Sequence, residues 1–166
     1  MTSFLSLFAA LNRKKVRYLL AGGLAVNLYG IERSTGDIDL VVELDQHNLD
    51  KFVEVMQELG FKPKAPVPME EFVREEKRQE WMRDKGMQVF SFFDPKNPFI
   101  LLDVFIEMPF DFPKVYDNRV KIKAGTTFVP LVPVNTLIEM KERAGRPKDL
   151  ADAYYLKQIE KEWENE

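Results

Sequence analysis

A strand-like run, a glycine pair, a short helical run and a second strand opened by two aspartates follow one another between residues 16 and 43. Val16 to Ala21 (VRYLLA) is β-rich in character and ends at Gly22-Gly23. Leu24 to Tyr29 reads as a helix closed by Gly30. Asp37-Ile38-Asp39 then leads into the apolar strand IDLVVE, residues 38 to 43. A chain that alternates its elements this way reads as a mixed α and β domain.

The flanking sequence extends that pattern. Phe4, Leu7, Phe8 and Leu11 recur at helical spacing behind Ser3, a good N-cap, and predict a short amphipathic helix over 4–12. From Asp45 a second helix carries Leu49, Phe52, Val53, Met56 and Leu59 on one face and stops at Gly60. Residues 62 to 68 hold three prolines and read as a loop. Met69 to Lys85 is a charged helical stretch anchored by Phe72, Val73 and Trp81. Its plain reading is a solvated face, and its functional one a lid or acceptor platform. VFSFFD (89–94) and FILLDVFIE (99–107) around Pro-Lys-Asn-Pro predict a β-hairpin. Two short strands at 120–123 and 127–132 and two helices at roughly 135–143 and 149–163 complete the chain. With no repeat or linker, the expectation is one α+β domain over residues 1–166, its sheet mixed but largely antiparallel and covered by helices.

Composition narrows the chemistry. The 45% hydrophobic and 31% charged residues are those of a soluble globular protein. The absence of cysteine removes disulfides, a thiolate nucleophile and zinc–sulfur sites, and fits a reducing, cytoplasmic setting. The single histidine, His47, sits among Asp45, Gln46 and Asn48 and reads as an exposed polar residue. A metal here would therefore be held by oxygen, which points to Mg2+ or Mn2+. The net charge of −3 gives no global attraction to nucleic acid, but leaves local basic patches at Arg13–Arg17 and Lys141–Lys148. No run approaches transmembrane length, and the apolar run Phe4 to Leu11 is too short and lacks the basic lead of a signal peptide.

Asp37 and Asp39 stand two apart at a strand start, so both project from one face. Held about 5 Å apart at an effective dielectric near 20, they repel by roughly 3 kcal/mol. A cation neutralises such a pair; a solvated turn tolerates it. Asp103 lies mid-strand in FILLDVFIE, where a carboxylate is costly unless it meets a cation or a strong donor. It could pair with Arg33 or Arg146, or form the third corner of a carboxylate site for two divalent ions, suited to in-line phosphoryl or nucleotidyl transfer. Haloacid-dehalogenase-type phosphatases also use Asp-X-Asp, but at the end of a hydrophobic strand rather than its start. Glycosyltransferases use it too, in chains with more room for a sugar-nucleotide domain.

Gly22 and Gly23 end a strand and open a helix, where free backbone N–H groups can meet an anion without a Cβ in the way. The alternative is a tight strand-to-helix turn. Lys141, Arg143, Arg146 and Lys148 cluster in KERAGRPKDLAD, at the junction of the last two helices, and could grip a triphosphate or form a solvated basic turn. Asp149 reads as the N-cap of the last helix and Asp152 as a partner for a nearby cation.

Taken together, YLLAGGLAVNLYGIERSTGDIDLVVE, LLDVFIE and LIEMKERAGRPKDLADAYYLK resemble the DNA polymerase beta-like nucleotidyltransferase superfamily, closest to its minimal and abortive-infection-toxin members. The resemblance runs from about residue 18 to residue 157 and implies that superfamily's fold. It implies a divalent metal (Mg2+ or Mn2+), a nucleoside triphosphate such as ATP, and an acceptor hydroxyl on tRNA or other RNA, protein or a small molecule. It further implies Asp37, Asp39 and Asp103 as catalytic metal ligands. Gly22 and Gly23 would cradle phosphates, and Arg33, Lys141, Arg146 and Lys148 would contact them. One departure is Gly23, where many members carry a serine. The toxin likeness adds an antitoxin protein as a candidate partner. The alternative function is a non-catalytic module that keeps the fold to bind nucleotide or a partner.

Overall fold

The computed structural model describes residues 3–165. Among these residues, seven strands form one mixed sheet: β1 (Tyr18–Ala21), β2 (Asp37–Val42), β3 (Lys62–Pro63), β4 (Val89–Asp94), β5 (Asn97–Phe105), β6 (Val120–Ala124) and β7 (Thr127–Leu131). Their spatial order is β3-β4-β5-β2-β1-β7-β6. Antiparallel pairs dominate, but β2–β5 and β1–β7 run parallel. The all-buried YLLA of β1 fits a strand near the centre of a sheet covered on both faces. β4 and β5 alternate buried and half-exposed residues over most of their length, and β4 lies further out, next to the edge strand β3.

Among the described residues, seven helices surround the sheet: α1 (Phe4–Arg13), α2 (Gly22–Leu28), α3 (Gln46–Leu59), α4 (Glu75–Lys85), α5 (Phe112–Asp117), α6 (Val134–Ala144) and α7 (Pro147–Glu164). Ser3 caps α1 by accepting from the Ser6 N–H, and Asp45 caps α3 by accepting from the Asn48 N–H. Gly60, at φ +82°, ends α3 in the left-handed conformation that suits glycine. Buried Asn48 accepts from the Arg17 N–H and donates to the Arg17 and Glu43 carbonyls, stitching the start of β1 to the end of β2.

The structure departs from the sequence expectation in five places, the first being the short strand β3 at Lys62–Pro63, inside the stretch expected to be a loop. Helix α2 begins at Gly22 itself, not Leu24. The stretch 69–85 is broken by extended Arg74 into a 3₁₀ turn, Met69–Val73, and α4. Trp81 and Arg78 of α4 are buried, so this stretch is not merely a solvated face. Helix α5 is additional; its signal was Pro113 just inside the first turn after Asp111. Helix α7 starts at Pro147, so Asp149 is its third residue rather than its N-cap. Among the described residues, no helix is long and apolar enough to cross a membrane.

Candidate functional site

The C-terminal end of β1, the start of β2, the middle of β5 and the α6–α7 junction open onto one cleft of about 620 Å³. Gly22, Gly23, Arg33, Asp37, Asp39, Asp103, Lys141, Arg146 and Lys148 all line it. The acids meet through strand register: Asp39 lies opposite Asp103 in the parallel β2–β5 pair, and Asp37 is one pleat away on the same face.

Asp103 pairs with neither arginine. Its Oδ1 accepts a 2.6 Å hydrogen bond from the hydroxyl of Ser91, its register partner on β4. Burial raises the Asp103 pKa, the Ser91 bond opposes that, and the charge on Asp37 adds to the rise. Asp39 is pushed up to about 6, first by burial, then by the charges of Asp103 and Asp37; Lys141 and Lys148 pull the other way. Negative charge is thus concentrated here beyond what the nearby cations offset. Among the described residues, however, no three acid or histidine side chains are gathered tightly enough to cage a metal ion as they stand.

The glycines are required by what packs against them. A Cβ on Gly22, which sits at φ +66°, would lie 2.0 Å from Asp39 Oδ2. The bare backbone turn is what lets that carboxylate occupy its place. A Cβ on Gly23 would lie 2.7 Å from Thr35 Oγ1 and 3.2 Å from Arg33 Cζ. The space that a serine would need at position 23 is therefore filled by the hydroxyl of Thr35, which also donates to the Asp37 carbonyl at 3.3 Å.

The basic residues belong to a network that sequence reasoning only partly anticipated. Asp152 and Asp149, on successive inner positions of α7, are both buried. One oxygen of Asp152, Oδ2, receives Arg33 Nη1 and, at 3.0 Å, Lys141 Nζ. Asp149 takes Lys141 Nζ at 3.5 Å on Oδ1 and Arg146 Nε at 2.6 Å on Oδ2, which also accepts from the Arg146 N–H. Burial pushes the Asp149 carboxyl up, but the Arg146 hydrogen bond and the Lys141 and Arg146 charges outweigh it and hold the pKa low. Lys148 forms no ion pair among the described residues. Ser91, Thr35, Asp149 and Asp152 are the parts of the site not assigned to it from sequence; the available signal was two acids three apart on an α7 face that also carries Ala153 and Leu156.

Residues 5–165 match the family described as "Nucleotidyl transferase AbiEii toxin, Type IV TA system". Among curated proteins, none matches the chain. Solved structures with the same fold include the lincosamide antibiotic adenylyltransferase LnuA, lincomycin-bound (TM-score 0.60, 16% identity, 93% of this chain and 94% of that one). ANT(2'')-Ia in complex with adenylyl-2''-tobramycin is similar at TM-score 0.56 and 13% identity, over 93% of this chain and 88% of that one. An antigenic nucleotidyltransferase-like protein from Paracoccidioides brasiliensis gives TM-score 0.56 at 18% identity, over 92% and 71% of the two chains.

Proposed function

This chain belongs to the AbiEii nucleotidyl transferase toxin family, and from that premise we propose that it moves a nucleoside monophosphate from a nucleoside triphosphate to a hydroxyl acceptor. The observation that supports the reading is the register of Asp39 against Asp103, in a cleft that also holds Gly22, Arg33 and Lys141. The acceptor oxygen would bond to the α-phosphorus, the bond to the β-bridging oxygen would break, and pyrophosphate would leave.

The three aspartates suit an oxygen-bound divalent ion because burial and mutual repulsion leave Asp39 short of positive charge. Asp37, Asp39 and Asp103 would hold Mg2+ or Mn2+, which on binding neutralises phosphate charge and acidifies the acceptor hydroxyl. The backbone N–H groups at Gly22 and Gly23 would face the outer phosphates. Arg33 and Lys141, fixed by Asp152, would present donors to the triphosphate from a set direction, with Arg146 and Lys148 flanking them. The Ser91 hydroxyl would orient Asp103, which could receive the acceptor proton.

A toxin family makes RNA, including tRNA, or a protein side chain the leading acceptors, and an antitoxin the expected partner. The adenylylated antibiotic on a protein of the same fold keeps small-molecule hydroxyls in the set. The test incubates the protein with Mg2+ or Mn2+ and each α-labelled nucleoside triphosphate, with pooled tRNA, candidate proteins and aminoglycosides as acceptors. Label transfer lost in Asp39→Asn and Asp103→Asn is the expected result. Nucleotide binding with no transfer to any acceptor would favour the non-catalytic module.

A further inference from the structure

A second cavity, of about 490 Å³, opens at the other end of β1 from the cleft, where Lys15, Arg17, Tyr116, Arg119, Lys121 and Phe128 converge. The four residues of β1 separate the two by about 13 Å of extended chain. In a protein of net charge −3, four cations line this cavity. Glu43 pairs with Arg17 at 2.9 Å. Lys15, Arg119 and Lys121 face no carboxylate within ion-pair distance among the described residues.

The aromatic groups are arranged for more than charge. The Tyr116 ring lies 3.9 Å from the Arg119 guanidinium carbon and 4.6 Å from that of Arg17, and Phe112 stacks on Tyr116 from the protein core. The Phe128 ring, half exposed at the rim, is an open aromatic face that the core does not use. Lys15 is the only non-glycine described residue with positive φ, +58°, at a helix end where glycine would sit without strain. Its carbonyl is held by the Lys51 ammonium at 2.8 Å. The position thus carries a cationic side chain where the backbone favours none.

We propose that this cavity is a binding site for single-stranded nucleic acid, with Lys15, Arg119 and Lys121 on phosphates and Phe128 stacked on a base. Unpaired cations tracking a backbone beside an exposed aromatic ring are what a sequence-tolerant single-strand site needs. An acidic peptide would use the cations but leave Phe128 without a stacking partner. The site does not depend on the cleft being a transferase, because it lies at the opposite end of β1.

The experiment measures fluorescence anisotropy of a labelled twelve-nucleotide oligouridylate with the full chain, without nucleoside triphosphate or divalent ion, across a salt series. Binding should weaken as salt rises. Lys15→Gly should keep or raise the thermal midpoint, weaken binding several-fold, and lower the log–log salt slope by about 0.7. Lys121→Glu should act in the same direction, and Phe128→Ala should weaken binding about tenfold with the salt slope unchanged. Absent binding, binding indifferent to all three variants, or a polyglutamate peptide bound more tightly at the same residues would each overturn the proposal. Because triphosphate is omitted, a negative result leaves label transfer at the cleft to be judged separately.

Discussion

Asp39 and Asp103 face each other across a parallel strand pair, so the charge on Asp103 raises the cost of ionising Asp39. That relationship couples the site to stability. With its pKa raised from an ordinary 3.8 to about 6, Asp39 binds its proton more tightly in the folded than in the unfolded chain. Its contribution is therefore fully present below about pH 4 and is lost as pH rises through about 6. In metal-free buffer at pH 7, Asp39→Asn should stabilise the fold by on the order of 1–3 kcal/mol, and should flatten the pH dependence of stability between 4 and 6. Urea unfolding at several pH values checks this. A variant less stable than the parent at pH 7 would contradict it.

The same carboxylate forbids a side chain at Gly22. Gly22→Ala adds a Cβ 2.0 Å from Asp39 Oδ2 at a residue with φ +66°. The expected loss is about 2–4 kcal/mol, together with the divalent-ion response. Gly23→Ala meets Thr35 instead and should cost about 1–2 kcal/mol. Thr35→Gly should recover part of that in the double variant, as a double-mutant cycle would measure.

Much of this site was legible because its chemistry sits on local patterns. Asp37 and Asp39 announce one face through spacing alone, and Asp103 stands out as a charge inside FILLDVFIE. What sequence could not supply was register. That β2 pairs β5 in parallel, with Asp39 opposite Asp103 rather than one residue off, is a long-range result of sheet order. The buried role of Asp149 and Asp152 was hidden for a similar reason: it exists only once α7 packs against α6 and brings Lys141 over both acids. Gly23 stands out in sequence only as a departure from a serine-bearing pattern, and its reason is spatial: Thr35 occupies the missing side chain's space.

Helix α4 illustrates the opposite error, a charged sequence hiding buried anchors. Trp81 stacks on Phe90 at 5.0 Å between ring centres, and Phe72 stacks on the same ring at 5.3 Å. Buried Arg78 donates to the Phe72 carbonyl at 2.8 Å, closing the turn between them. Trp81→Ala should cost about 3–5 kcal/mol, whereas Glu80→Ala on the exposed face should cost under about 0.5 kcal/mol. Equal, small effects in thermal unfolding would mean the helix is not docked.

Asp152 holds two cations with one oxygen, so its removal strands Arg33 and leaves Lys141 only its 3.5 Å contact with Asp149. Asp152→Asn should destabilise the protein by about 3–5 kcal/mol and weaken triphosphate binding, because Arg33 and Lys141 lose their fixed direction. Adding Lys141→Met should restore part of the stability but none of the binding. Restored binding in that double variant would show that Lys141 does not contact the nucleotide.

Lys148 provides the contrast. Arg33, Lys141 and Arg146 each have a carboxylate partner, while Lys148 lines the cleft with none among the described residues and lowers the Asp39 pKa only through its charge. An unpaired cation gives up little on meeting a phosphate, whereas a paired one must share its partner. Lys148→Ala should therefore weaken triphosphate binding about five- to tenfold, roughly 1 kcal/mol, while changing folding stability by less than about 0.5 kcal/mol. It should also move the pH midpoint of Asp39 upward, since one opposing charge is gone. Isothermal titration of the nucleotide and a pH series of unfolding curves measure the two effects independently. A Lys148→Ala variant that binds triphosphate like the parent would remove this residue from the phosphate site and leave Arg33 and Lys141 to carry it.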